Sequence, residues 1–224
     1  MDVFSDPTNI DTYVTGFLWI LKLTASATVG SVVLGVVLAA MRVSPIPVLR
    51  GFGTAWVNIF RNTPLTLIVF FCFFGLHSAL GLEFSDDIDP NIFWLGVVGL
   101  SVYTAAFVCE AIRSGINTVS AGQAEAARAI GMSFFQTLRM IVLPQAGRAV
   151  IAPLGSVFIA LAKNSTIVGT IGLMESSNAM KQLINENEGA VIQIFLVFAG
   201  TFAAVLIPTG YLFGWLANRL AVKR

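Results

Sequence analysis

The sequence predicts an all-α integral membrane protein of five transmembrane helices, and three observations carry that expectation. The first is composition: of 224 residues, 56% are hydrophobic and 11% charged, with a mean hydropathy of +0.84. Soluble domains usually carry about 25% charged residues, so this chain cannot cover a water-facing surface. The second is a set of long runs without a charge, over 23–41, 62–82, 90–109 and 189–218. Each supplies the roughly 20 residues a helix needs to cross the hydrocarbon. The third is the way Lys and Arg crowd into alternate connections. A net charge of +1 leaves nothing for a nucleic-acid binder that works through overall basicity, so no nucleic-acid partner is expected.

The spans are read over 12–41, 54–80, 91–112, 149–172 and 190–217, within a single transmembrane domain covering 1–224. In the first, Lys22 lies near the outer end, where its ammonium can snorkel to the interface. In the second, Arg61 is followed at once by Thr63 and Pro64. A proline removes a backbone hydrogen bond and kinks the helix, and broken helix at membrane depth needs protein or a wet cavity beside it. The third carries Glu110. The fourth is interrupted by Lys163, followed by Asn164, Ser165 and Thr166, a polar group that must face the bundle or a dimer axis. Cys72 and Cys109 fall inside spans and read as packing thiols, with no disulfide and no metal. His77, the one histidine, reads as an interfacial packing residue. Trp19, Trp94 and Trp215 stand near span ends, as interfacial belts prefer.

Basic residues mark the cytoplasmic side. Arg42 and Arg50 follow the first span, and Arg113, Arg128, Arg139 and Arg148 flank the third connection. Arg219, Lys223 and Arg224 close the chain. The N-terminus and the 81–90 and 175–188 loops hold ten acidic residues and only Lys181 as a base. The expected topology is N-terminus outside, C-terminus cytoplasmic. Asp2, Asp6 and Asp11 without a neighbouring Lys or Arg are the reverse of a cleavable signal.

The longest cytoplasmic connection, 114–147, reads as two short helices. Ser120 and Gln123 have the spacing of a capping box, as do Ser133 and Gln136. Between them, 123–130 is built of strong helix formers, and Gly131 is the residue type favoured just past a helix end. Phe134, Phe135, Leu138, Ile141 and Val142 form an apolar stripe, and Pro144 marks a boundary. A helix as short as the first, showing Ala124, Ala126, Ala127 and Ala129, must rest on another surface.

Glu125-Ala126-Ala127, then Gly131, then Ile141-Val142-Leu143-Pro144 resembles the EAA loop of ATP-binding-cassette importer permeases at each signature position. The resemblance extends over nearly the whole chain: 24–30, Arg61-Asn62-Thr63-Pro64-Leu65, Val108 to Arg113 and Lys163-Asn164-Ser165-Thr166 look like the polar amino-acid subfamily. That subfamily more often has glycine in place of Asn62 and aspartate in place of Asn164. The forms at 61–65 and 163–166, with the tail at 220–224, look closest to actinobacterial glutamate uptake permeases.

The resemblance implies the type I ABC-importer permease fold. It also implies a multi-pass subunit of the bacterial cytoplasmic membrane, passing a polar amino acid, with glutamate first. Gln123, Glu125, Ala126, Ala127, Gly131, Leu143 and Pro144 become the ATPase-coupling residues. The implied partners are two ATP-binding subunits, an external substrate-binding protein and a second permease, a related chain being preferred over a second copy. ATP and Mg would be bound by the partner subunits, since the chain has no phosphate-binding loop of its own and no catalytic residues. Arg61, Thr63, Glu110, Lys163, Asn164 and Ser165 are the candidate substrate-path residues. Two accounts of Arg61 stand side by side: lining the path, or pairing with Glu110 or snorkelling. The competing function, a carrier or channel working alone, would want inverted repeats, and none is visible.

Overall fold

The computed structural model describes residues 3–220, so Asp2, Lys223, Arg224 and most of the 220–224 tail lie outside the described residues. All regular structure among the described residues is helical. The first helix, α1 (Pro7–Val43), starts with Asp6 accepting a hydrogen bond from the Thr8 N–H and a proline at its first position, the pre-organised start that such a ring favours. It crosses α4 (Ile88–Asn117) over a long seam. Glycine makes that approach possible: a Cβ on Gly30 would run into the Ser101 side chain, and one on Gly35 into Val108. Small residues at helix crossings are how membrane helices gain packing contacts.

Among the described residues, four helices are long and apolar enough to cross a membrane: Pro7–Val43, Ile88–Asn117, Ile151–Ile171 and Glu188–Leu220. The expected second span over 54–80 is not one straight helix. It divides into α2 (Pro47–Asn62) and α3 (Leu65–Phe70), the latter continuing as a π-helix over Phe71–Ala79, and the two halves meet at 105°. Thr63 and Pro64 both have extended backbone, which follows from the steric limits a proline sets on its predecessor. The kink expected at this proline is therefore a break. The fourth span also changes character, from α8 (Ile151–Asn164) to a 3₁₀ segment over Ser165–Ile171.

Three cores stack along the bundle. The central one joins Leu23 of α1, Val69 of α3, Leu100 of α4, Leu161 of α8 and Val168. Leu38, Val57, Ala105 and Cys109 form a second, where α2 lies across α1 and α4. The third packs Val3, Ala179, Leu183, Ile194 and Phe198 at the opposite end. Cys72 and Cys109 are buried free thiols. Trp94 and Trp215 are exposed, whereas Trp19 packs on the central core with the Lys22 ammonium 4.8 Å from its ring centre.

The 175–188 segment, expected as a loop, is largely a helix, α9 (Ser176–Glu186). Its cap is Glu175, which is fully buried. The carboxylate accepts hydrogen bonds from the backbone N–H of Ser177 at 2.8 Å and of Asn178 at 3.2 Å, and from the Ser177 hydroxyl. Asn178 donates to the carbonyls of Gly169 and Leu173, tying α9 back to the end of the fourth span. Burial, the largest influence, pushes the Glu175 carboxyl above the usual carboxylate range, against the opposing pull of the Ser177 and Asn178 hydrogen bonds.

Candidate functional site: the elbow between the third and fourth spans, and the charged cluster beside it

The elbow begins where α4 ends at Asn117, with Thr118 donating its hydroxyl to the Gly115 carbonyl. Helix α5 (Ala121–Ala129) follows, about 13 Å long at the usual rise. Its one buried residue is Ala127; Gln123, Glu125, Ala126, Arg128 and Ala129 all face outward. It ends in a double turn: Met132 N–H bonds the Ala127 carbonyl, Gly131 N–H bonds the Arg128 carbonyl, and Gly131 has φ +90°. That is the Schellman ending, which needs a residue at ease in the left-handed region. The glycine expected at this point is therefore required by backbone geometry.

The two expected capping boxes fare differently. Ser133 and Gln136 form theirs in full, starting α6 (Phe134–Thr137). Ser120 occupies the cap position of α5, but its side chain makes no capping bond. The Gln123 backbone N–H bonds the Ser120 carbonyl instead, and the Gln123 side-chain oxygen accepts a 2.6 Å hydrogen bond from Gln145 Nε2. Pro144 also behaves otherwise than expected. The chain does not leave the helix there; it passes through a π-turn over Leu138–Val142 into α7 (Leu143–Ala149). Widening the preceding turn keeps the proline ring from its clash with the carbonyl four residues back. Gly115 lets α4 and α7 touch, since a Cβ there would meet Val150 and the Ala146 carbonyl.

The elbow leaves apolar side chains uncovered. Ile130 is 81% exposed, Phe135 78%, Met140 66% and Phe134 53%, more than a stretch of chain in water normally tolerates in one place.

The candidate substrate-path residues separate into two groups. Glu110 gathers three guanidinium groups: Arg42 on Oε1, Arg113 on Oε2 through Nε at 3.1 Å and Nη2 at 2.9 Å, and Arg61 Nη1 at 3.8 Å. Arg42 and Arg113 were not singled out from sequence as partners. Arg113 could have been, being three residues beyond Glu110 on the same helix; Arg42 could not, because it arrives from α1. Thr63 donates its hydroxyl to the Ile59 carbonyl at 2.8 Å and so serves the end of α2. Lys163, Asn164 and Ser165 stand elsewhere, at the change from α8 to 3₁₀ helix. Ser165 is fully buried, donating to the Ala162 carbonyl at 2.8 Å and lying 3.4 Å from Thr24 Oγ1. Lys163 is exposed and has no ion-pair partner among the described residues. Asn164 lines a groove of about 250 Å³ between α4 and α8, with Tyr103, Thr104, Phe107 and Ser156.

Residues 31–222 match the family described as "Binding-protein-dependent transport system inner membrane component". The chain belongs to this family. Among its relatives is the glutamate transport system permease protein GluC of Corynebacterium efficiens, 47% identical, aligning with 92% of this chain and 93% of that protein. The probable glutamine ABC transporter permease protein GlnM of Bacillus subtilis is 39% identical over 95% of this permease and 94% of its own length. A crystal structure of an amino acid ABC transporter with histidines superposes with a TM-score of 0.86 at 26% identity, covering 98% of this chain and 99% of the other. The methionine transporter MetNI, at 18% identity and a TM-score of 0.75, shares the fold.

Proposed function

We propose that this permease carries a polar amino acid, L-glutamate first, into the cell, driven by ATP hydrolysis in two partner subunits that dock on α5. The observation that carries this reading is the uncovered coupling helix. Helix α5 is held by its C-terminal glycine turn, the Gln145–Gln123 hydrogen bond and one buried alanine, on an elbow whose arms are the continuations of α4 and α8. A partner that moves α5 therefore moves the third and fourth spans as a rigid-body step. Glu125, in the middle of α5, is exposed and offers a carboxylate to a cation on the ATPase, while Ala126 and Ala129 let that surface approach closely. Leu143 and Pro144 form the return of the elbow.

In this orientation the elbow and Arg42, Arg50, Arg128, Arg139 and Arg148 face the cytoplasm, and α9 with the acidic 81–90 segment faces out, toward a substrate-binding protein. Five crossings are too few to enclose a path, so a second permease completes it about a two-fold axis; a related chain is preferred. The glutamate assignment is supported by the identity to the two corynebacterial relatives named for glutamate.

The test is co-expression with neighbouring ATPase and permease genes and purification by a tag on this chain. The reading expects the ATPase to co-purify, and Glu125→Lys or Gly131→Asp to abolish uptake. An ATPase that stays behind, with uptake intact in both variants, contradicts it.

A further inference from the structure

The charges around Glu110 do not balance. One carboxylate faces three guanidinium groups, from Arg42, Arg61 and Arg113, where α1, α2 and α4 meet, a surplus of two positive charges at that end of the bundle. Both oxygens of Glu110 are already committed, one to Arg42 and one to Arg113. Arg61, at 3.8 Å, lies beyond hydrogen-bond reach; it shares the field of Glu110 without using its lone pairs. Its side chain is 46% exposed. Ionisable groups in a membrane segment are costly and persist where they face protein or a wet path.

The position of Arg61 gives that surplus a purpose. Its guanidinium lies 5.7 Å from the centre of the Phe107 ring, and Phe107 lines the α4–α8 groove together with Tyr103 and Asn164. Tyr103, Phe107 and Glu110 succeed one another on one stripe of α4, at the spacing of consecutive turns. The Tyr103 and Phe107 rings pack with centres 5.0 Å apart, making a continuous aromatic wall from the groove to the cluster. The broken helix at Thr63 and Pro64 holds Arg61 at the last turn of α2, where the carbonyl end of the helix steadies a cation.

We propose that Arg61 is an oxyanion site at the cytoplasmic end of this groove, which takes the carboxylate of the solute in transit. Glu110 does not touch the solute; with Arg42 and Arg113 it is the anchor that fixes Arg61 while leaving its donors free. An arriving carboxylate gains charge-assisted hydrogen bonds and breaks none. This divides the candidate path residues by role, with Arg61 binding and Glu110 positioning. The proposal rests on the importer reading above.

The experiment uses the complete complex, with its ATPase, second permease and binding protein, in proteoliposomes loaded with ATP and supplied with labelled L-glutamate. Arg61→Gln is expected to lower the maximal uptake rate about tenfold or more, with the half-saturating concentration of loaded binding protein unchanged. Arg61→Lys keeps a cation and is expected to restore most of the rate. Both variants are expected to assemble with the ATPase and to melt at the wild-type temperature. Wild-type rates in Arg61→Gln, or a variant that fails to assemble, overturn the site. Uptake by the wild type that does not depend on ATP overturns the importer reading instead, and the proposal with it. Repeating the series in phosphatidylcholine, with and without phosphatidylglycerol, separates the sources of the anion. The Arg61→Gln deficit is expected in both; a deficit confined to vesicles with phosphatidylglycerol assigns Arg61 to a lipid headgroup and overturns the proposal.

Discussion

Among the short helices outside the membrane spans, α5 on the elbow and α9 beyond the end of the fourth span are held in opposite ways. Helix α9 buries Ser176, Ala179 and Leu183 and is capped by a fully buried carboxylate. It lies so close to α1 that a Cβ on Gly16 would stand 2.8 Å from that of Ala179. Helix α5, two residues shorter, buries Ala127 alone and ends on a glycine turn with Ile130 uncovered. Side-chain burial builds α9 into the fold; α5 is held by its glycine turn, the Gln145–Gln123 hydrogen bond and one buried alanine, and its outer surface is uncovered. Damage to α9 should therefore appear as lost stability, and damage to α5 as lost function.

Leu183→Ala should break the first half of that contrast most severely. A fully buried leucine truncated to alanine costs about 2–5 kcal/mol, so the melting temperature of the purified complex should fall clearly. Gly131→Val probes the other half. Holding a side chain at φ +90° costs about 1–2 kcal/mol locally, and uptake should fall sharply while the melting temperature hardly moves. Equal losses of stability in the two variants would erase the distinction.

The smallest effect concerns Glu175 and pH. Its folded carboxyl is shifted upward by burial, so the folded state holds the proton more tightly than the unfolded chain. The resulting stability is complete below the ordinary carboxylate range and is lost as pH rises through the raised folded value. Glu175→Gln removes that titration. The stability difference, wild type minus variant, should decline from acidic toward neutral pH; a difference that grows with pH would show a carboxyl shifted downward.

The same contrast explains what was legible in the sequence. Features set by a few consecutive residues were: the Gly131 turn, the Ser133 cap, the apolar runs and the fault at Pro64. Features set by distant partners were not. Ser120 and Gln123 had the spacing of a capping box, but Gln145, twenty-two residues on, takes the Gln123 side chain. A pair of Glu110 with Arg61 is one of the two accounts the sequence offers, yet the stronger partner, Arg42, comes from sixty-eight residues away. Helix α9 was missed because its composition is polar and the segment is short. The signal was there in Ala179 and Leu183, with Met180 and Ile184 beside them, one turn apart in each case. The π-helix over 71–79 left no local mark, since its residues would suit an α-helix equally well.

Whether α5 is the docking surface can be read directly by cross-linking. Cys72 and Cys109 are both buried, so Ala126→Cys supplies a single exposed thiol on the outer face of α5. In membranes carrying the assembled complex, a short bifunctional maleimide reagent should join that thiol to the ATPase subunit, with a yield that changes when ATP is added. A cross-link that forms only to an external protein, or none to the ATPase while Ala126→Cys still supports uptake, would contradict the account.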